Sequence, residues 1–232
     1  MMESVASSAL DLTPVWLTLK LSIVTVSVLL VVGLPLAWWL AFSRSRFKVP
    51  VEAITALPLV LPPTVLGFYL LVFLGPNGPA GHMWQTFSGH ALAFSFTGLV
   101  IASCLYSLPF VVQPLQAAFE SMDRKSIEAA WTLGASVSRT FITVIVPQIR
   151  RGLLIAIVLG FAHTMGEFGV VLMVGGNIPG ETQVVSIAIY EQVEILNFQA
   201  AEKLSMGLLI FSFAVLVLVY SINRQWGKGL KA

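Results

Sequence analysis

From Leu21 to Phe42 the chain runs without one charged residue. About 20 apolar residues are enough for a helix to cross the hydrocarbon of a bilayer. In lipid, backbone polar groups are satisfied only within helices or closed barrels. A continuous apolar run of this length therefore predicts a membrane-spanning helix, and further runs like it predict an all-α, polytopic transmembrane bundle. The segment exceeds the roughly 7–15 apolar residues of a cleaved signal and has no cationic leader, so it is expected to persist as a span. Composition agrees: 57% of residues are hydrophobic, 10% are charged and mean hydropathy is +0.89, against roughly 25% charged in a soluble domain. A net charge of +2 is too small to suggest nucleic acid. Cys104 stands alone inside an apolar run, so it supplies neither an internal disulfide nor a metal cluster and reads as a packing residue.

One domain is expected over residues 14–223, with spans at about 14–42, 50–74, 91–118, 152–174 and 204–223. Residues 1–13 read as an external tail and 224–232 as a cytoplasmic one. Of the 13 Lys and Arg, all but Lys20 and Lys203 fall on one side of this arrangement. That bias sets the orientation, with the N-terminus outside and the C-terminus in the cytoplasm. Lys20 lies near the outer end of the first span and can snorkel to the interface. The second span contains Pro58, Pro62 and Pro63, each without an amide donor, and is expected to be kinked or broken. The Gly- and Pro-rich stretch 75–89 reads as an outer loop, with His82 and Trp84 at the interface. Residues 183–201 carry Glu191 and Glu194 and are only partly apolar, which predicts a short external or re-entrant helix rather than a crossing.

The cytoplasmic interval 120–150 is the most polar stretch between two apolar ones. It reads as two short helices meeting at Gly134, where glycine admits a turn. Glu128 is placed near a helix start, suited to the positive end of the dipole. Ala129 and Ala130 leave a smooth surface for close approach. Val137, Phe141, Val144 and Ile145 recur at helical spacing, and Pro147 is expected to end the second helix. The product would be a knob on the inner membrane face; the plainer alternative is an ordinary interfacial amphipathic helix.

Glu128, Ala129, Ala130, Gly134 and Pro147 stand at the spacing of E-A-A-x3-G-x9-I-x-L-P, with Val144 and Val146 for its Ile and Leu. In this the chain resembles the permease subunits of bacterial ABC importers. The resemblance implies a type I importer fold in the bacterial inner membrane. It also implies that these five residues form a coupling loop docking into an ATP-hydrolysing partner. LPLVLPPTVLGFYLL (57–71) and MGEFGVVLMVGGNIPGET (165–182) narrow the likeness to the molybdate importers. What this implies is a permease homodimer, a pair of ATPase subunits carrying ATP and magnesium, and a periplasmic molybdate-binding protein. Sulfate, thiosulfate and tungstate permeases are the alternative readings within the class.

The fourth span holds His163 and Glu167, four positions apart and thus on one helical face. An ionisable residue at membrane depth faces the bundle interior or a wet path by default. His163 and Glu167 are therefore translocation or gate candidates, with a purely structural role for Glu167 as the alternative; Pro62 and Pro63 join them because a broken span can line or gate the pathway, a static kink that merely fits the bundle being the alternative. No enzyme is expected: there is no G-x-x-x-x-G-K-[ST] to bind ATP, no H-E-x-x-H, no Cys/His ligand set and no G-x-S-x-G elbow. No cofactor or metal is expected in this chain. An ion-coupled secondary transporter using Glu167 as a proton site is the rival of another class. Five spans without an inverted repeat argue against it.

Overall fold

Asp11 accepts the Thr13 amide at 2.9 Å at the start of helix α1, Thr13–Phe42, the first of five long apolar segments in a computed structural model that describes residues 11–228. The expected external tail lies mostly outside the described residues, as does the end of the cytoplasmic one. Among the described residues four helices are long and apolar enough to cross a membrane, or five if one bent pair counts as a span.

Three of them form the centre. Helix α5, Phe96–Glu120, lies between α1 and α8, Val146–Met165. Lipid tails are as apolar as leucine, so helices associate in a bilayer through close packing, which favours small contact residues. A Cβ added at Gly152 would stand 2.3 Å from Ala118 Cβ, and one at Gly160 would stand 2.6 Å from Val111 Cγ2. These two glycines, with fully buried Ala156 between them, let α8 lie directly on α5. Leu29, Leu40, Val111, Leu115, Phe119 and Ile149 make the core of that three-helix contact. Helix α5 begins later than expected, because Ser95 caps it by accepting the Gly98 amide, and it passes through Pro109 and Pro114 unbroken. Lys20 lies over the Phe96 ring at 4.4 Å rather than reaching away from the bundle.

The second apolar segment is broken. Helix α2, Lys48–Ala56, leads into a 3-10 turn, Leu57–Leu59, and the chain restarts as α3, Pro63–Leu74, at 112° to the first arm. Pro58 sits inside the 3-10 turn, Pro62 is extended at φ −55°, ψ 137°, and Pro63 opens α3, where a missing amide costs nothing. The expected outer loop 75–89 instead holds a helix, α4, Pro79–Ser88. It has a proline at its start and left-handed Gly89 at its end, the asymmetry that marks helix boundaries and that composition alone disguises as a loop.

The expected fourth span is also divided. Helix α8 stops at Met165, and after Gly166, Glu167 and Phe168 a short helix, α9, runs over Gly169–Gly175. Residues 176–184 turn, with Thr182 Oγ1 donating to the Gly175 carbonyl at 2.7 Å. Helix α10, Val185–Glu194, follows. At about 1.5 Å per residue it is far too short to cross, in line with expectation. It docks on the start of α1, where the Val185 amide donates to Thr18 Oγ1 at 2.8 Å. Helix α11, Phe198–Lys228, closes the chain and leaves Leu209, Phe213 and Leu218 exposed.

Candidate functional site

Residues 121–145 form the projection. Helix α6, Arg124–Thr132, is capped by Asp123, whose carboxylate accepts the Lys125 amide at 3.0 Å. Glu128 therefore lies a turn inside the helix, and the expectation that it sits at the helix start is corrected: Asp123 holds that position and satisfies the free amides there. The far end closes as a Schellman motif, with the Gly134 amide on the Trp131 carbonyl at 2.9 Å and the Ala135 amide on the Ala130 carbonyl at 3.0 Å. Gly134 adopts φ +78°. A Cβ there would meet nothing within 4 Å, so its backbone conformation, and no lack of space, is what calls for glycine. The expected turn at Gly134 is present, but only the helix before it is short.

Beyond Ser136, which caps the next turn, the chain winds as α7, Val137–Thr140, then as a π segment, Phe141–Ile145, and enters α8 without a stop. Pro147 thus does not end the second helix. In a regular α-helix its ring would strike the carbonyl four residues back, and it has no amide to donate. The wider π winding just before it accommodates both defects. The projection and the third long span are consequently one continuous helical path from Val137 to Gly166.

The knob is anchored at its root and bare at its tip. Buried Ile127 packs with Phe119, Ile145 and Ile149, the Asp123 amide donates to Gln148 Oε1 at 3.3 Å, and the Arg124 guanidinium lies 4.2 Å from the Phe42 ring centroid. Glu128, Ala129, Gly134 and Pro147 are exposed and Ala130 is half-buried. Around them Trp131 is 55% exposed, Val137 78% and Leu133 87%. Apolar residues so bare stand out on the most polar stretch of the chain. A cleft of about 330 Å³ beside Trp131 is lined by Pro35, Trp38, Val137 and Phe141.

The gate candidates come together by an unexpected route. A Cβ at Gly169 would lie 2.8 Å from Pro63 Cβ, and one at Gly67 would lie 2.9 Å from Met173 Cβ. These contacts press α3 against α9, so the break at Pro62 and Pro63 lies beside the break that holds Glu167. His163 and Glu167 do not share a helical face, because α8 ends between them. His163 turns to α5: its ring stacks on Phe110 at 3.8 Å, and its Nδ1 lies 2.9 Å from Ser107 Oγ. Thr164 Oγ1 donates to the Gly160 carbonyl, which leaves Ser107 to donate to Thr164 and to accept from His163. Glu167 is 4% exposed.

A family model described as "Binding-protein-dependent transport system inner membrane component" matches residues 33–226. The chain belongs to that family. The molybdenum transport system permease protein ModB of Azotobacter vinelandii is 55% identical over 95% of this chain and 97% of its own length. ModB of Escherichia coli K12 is 35% identical over 91% of each. A sulfate transport system permease protein, CysT of Synechocystis, is 34% identical over 85% of this chain and 68% of its own. Two solved transporters share the fold. One is the bacterial ABC transporter that imports alginate, with a TM-score of 0.75, 16% identity and coverage of 94% of this chain and 80% of that one. The other is the methionine transporter MetNI, with a TM-score of 0.71, 19% identity and coverage of 93% and 95%.

As an inner-membrane component of such a transport system, the chain is the membrane-spanning subunit and not itself an enzyme. Its fold is that of the type I ABC importer permeases. Sequence reasoning singled out Glu128, Ala129, Ala130 and Gly134, of which Ala130 is half-buried and the others exposed, and missed the side chains that hold them. Asp123 was legible as a cap by its place ahead of an apolar-periodic stretch. The root contacts of Ile127 and Gln148 are tertiary, and no local pattern announces them.

Proposed function

We propose that this chain is the permease subunit of a molybdate ABC importer. The observation that carries the reading is its high identity, over nearly its whole length, to a molybdenum transport permease. In this reading two copies assemble as a homodimer, two ATPase subunits carrying ATP and magnesium bind from the cytoplasm, and a periplasmic molybdate-binding protein docks from outside. The N-terminus is periplasmic and the C-terminus cytoplasmic, as the bias of Lys and Arg requires.

Glu128, Ala129, Ala130, Gly134 and Pro147 belong to the coupling loop, with Trp131, Leu133 and Val137 supplying apolar contact area. Because Ile127 and Gln148 bind the knob to the bundle, a push on it is carried up α8 as a rigid element. The next compliant point is the break at Gly166–Phe168, which presses on Pro63 through Gly169. Nucleotide-driven closure of the ATPases would thereby shift the paired breaks in α3 and α9 and alternate access to the pathway. Such a shift requires that the ATPase bind the two states with different affinity.

Sulfate import is the second reading, favoured by the similarity to a sulfate permease. Uptake of labelled molybdate by cells expressing the full transporter, with sulfate or tungstate in competition, decides between them. Block by tungstate with little effect of sulfate is expected; preferential sulfate uptake overturns the substrate assignment.

A further inference from the structure

Trp38 on α1 and Trp131 on α6 stand between two clefts and line both of them. The larger, of about 330 Å³, has walls of Leu34, Pro35, Val137, Phe141 and Ile145. The smaller, of about 250 Å³, is lined by Phe42, Arg124, Ile127 and Glu128. Together they make one groove between α1 and the knob, apolar at one end and charged at the other. Helix α1 ends at Phe42, and the Arg124 guanidinium lies 4.2 Å from that ring, so the charged end marks the end of the span. Leu34 and Pro35 lie about 10–12 Å farther along it, at about 1.5 Å per residue. A soluble protein docked on the tip of the knob does not reach that depth, whereas an acyl chain does. Indole rings at this level are also characteristic of the headgroup zone.

The wall of the apolar cleft holds an unmet polar group. Thr140 lines it and is 1% exposed, and its hydroxyl has no hydrogen-bond partner. A threonine in a helix can give its proton to the carbonyl four residues back, as Thr132 and Thr143 do on either side at 2.8 and 2.7 Å. Thr140 does not, and a buried hydroxyl left in this state calls for an acceptor. At the charged end, Arg124 and Glu128 stand four positions apart on one face of α6, yet neither has an ion-pair partner among the described residues. A guanidinium matches a phosphate, and a carboxylate beside it suits an ammonium and repels a second negative charge. The groove therefore presents, in order, a site for an ammonium and a phosphate, a donor for a carbonyl, and an apolar channel.

We propose that this groove binds one molecule of phosphatidylethanolamine. Its phosphate meets Arg124, its primary ammonium meets Glu128, an ester carbonyl accepts from the Thr140 hydroxyl, and one acyl chain lies along Pro35 and Phe141. A lipid seated there braces the knob against α1. The proposal concerns the permease alone and does not depend on which anion is transported.

The test is native mass spectrometry of the full-length permease in detergent, titrated with phosphatidylethanolamine, phosphatidylcholine or phosphatidylglycerol of the same chain length. The first phosphatidylethanolamine should bind more tightly than those that follow, and several-fold more tightly than the first molecule of either other lipid. Phosphatidylcholine has no N–H for Glu128, and phosphatidylglycerol has no cation. Arg124→Gln should weaken the first site about tenfold, the loss of one good contact, and Thr140→Val several-fold. Glu128→Gln should abolish the preference for phosphatidylethanolamine over phosphatidylglycerol, a selectivity that a merely loosened knob would not reverse. Arg139→Gln, an exposed cation outside the groove, should change nothing; a loss equal to that of Arg124→Gln overturns the site. So does a wild-type protein with no tight first site, one that prefers phosphatidylglycerol, or binding unchanged in both Arg124→Gln and Thr140→Val. Transport is not measured, so this result is separate from that of the molybdate uptake experiment.

Discussion

Gly134 holds the tip of the knob at φ +78° with open space around it. A side chain there would fit sterically and still cost about 1 kcal/mol in backbone strain. Gly134→Ala is expected to lower coupled uptake several-fold without changing the amount of permease in the membrane, measured as transport normalised to immunoblot signal. Ile127 is the opposite kind of residue, a buried anchor that touches no partner. Truncating such a side chain costs about 2–5 kcal/mol, and here the loss falls on the knob's root. Ile127→Ala should make residues 120–150 markedly more sensitive to protease in inverted vesicles, with the spans still intact.

At the scale of elements, the continuous path from α7 through the π segment into α8 has the largest consequence. Pro147→Ala removes both reasons for the wide winding, and a return to α geometry shifts the register by one residue. One residue in an α-helix is about 100° of rotation, enough to turn Val137, on α7, away from a docked partner. Coupled uptake should fall at least tenfold, a loss of about 1.4 kcal/mol or more, while the thermal midpoint of the purified protein is unchanged or higher. Uptake equal to wild type would mean that the π segment plays no part in transmission. The pairing of α3 with α9 is a second element-scale result. Each segment has a break that the sequence marks with Pro or Gly, but their adjacency depends on Gly67 and Gly169 meeting Met173 and Pro63 across more than a hundred residues of chain.

For the whole molecule, orientation is the property on which the mechanism turns. With Cys104 replaced by Ser and a cysteine placed at Ala129, a membrane-impermeant maleimide should label inverted vesicles and leave intact cells unlabelled. Labelling from outside would reverse the topology and remove the ATPase from the knob's side of the membrane. Helix α11 bears on the same scale. Its apolar residues are exposed on more than one face, as expected of a helix that meets lipid and has little packing within its own chain.

Much of this protein was legible in the chain itself. Charge-free apolar runs dictate crossing helices because lipid offers the backbone no alternative hydrogen bonds. Prolines 58, 62 and 63 announce a break, and Gly134 a turn, because both residue types act on their own backbone. Other features depended on contacts between distant segments. The end of α8 ahead of Glu167 and the meeting of that break with Pro63 follow from what packs on the other side. A local pattern sets what a segment can form, while the close approach of α5 to α8 and of α3 to α9 selects where each helix runs on and where it stops.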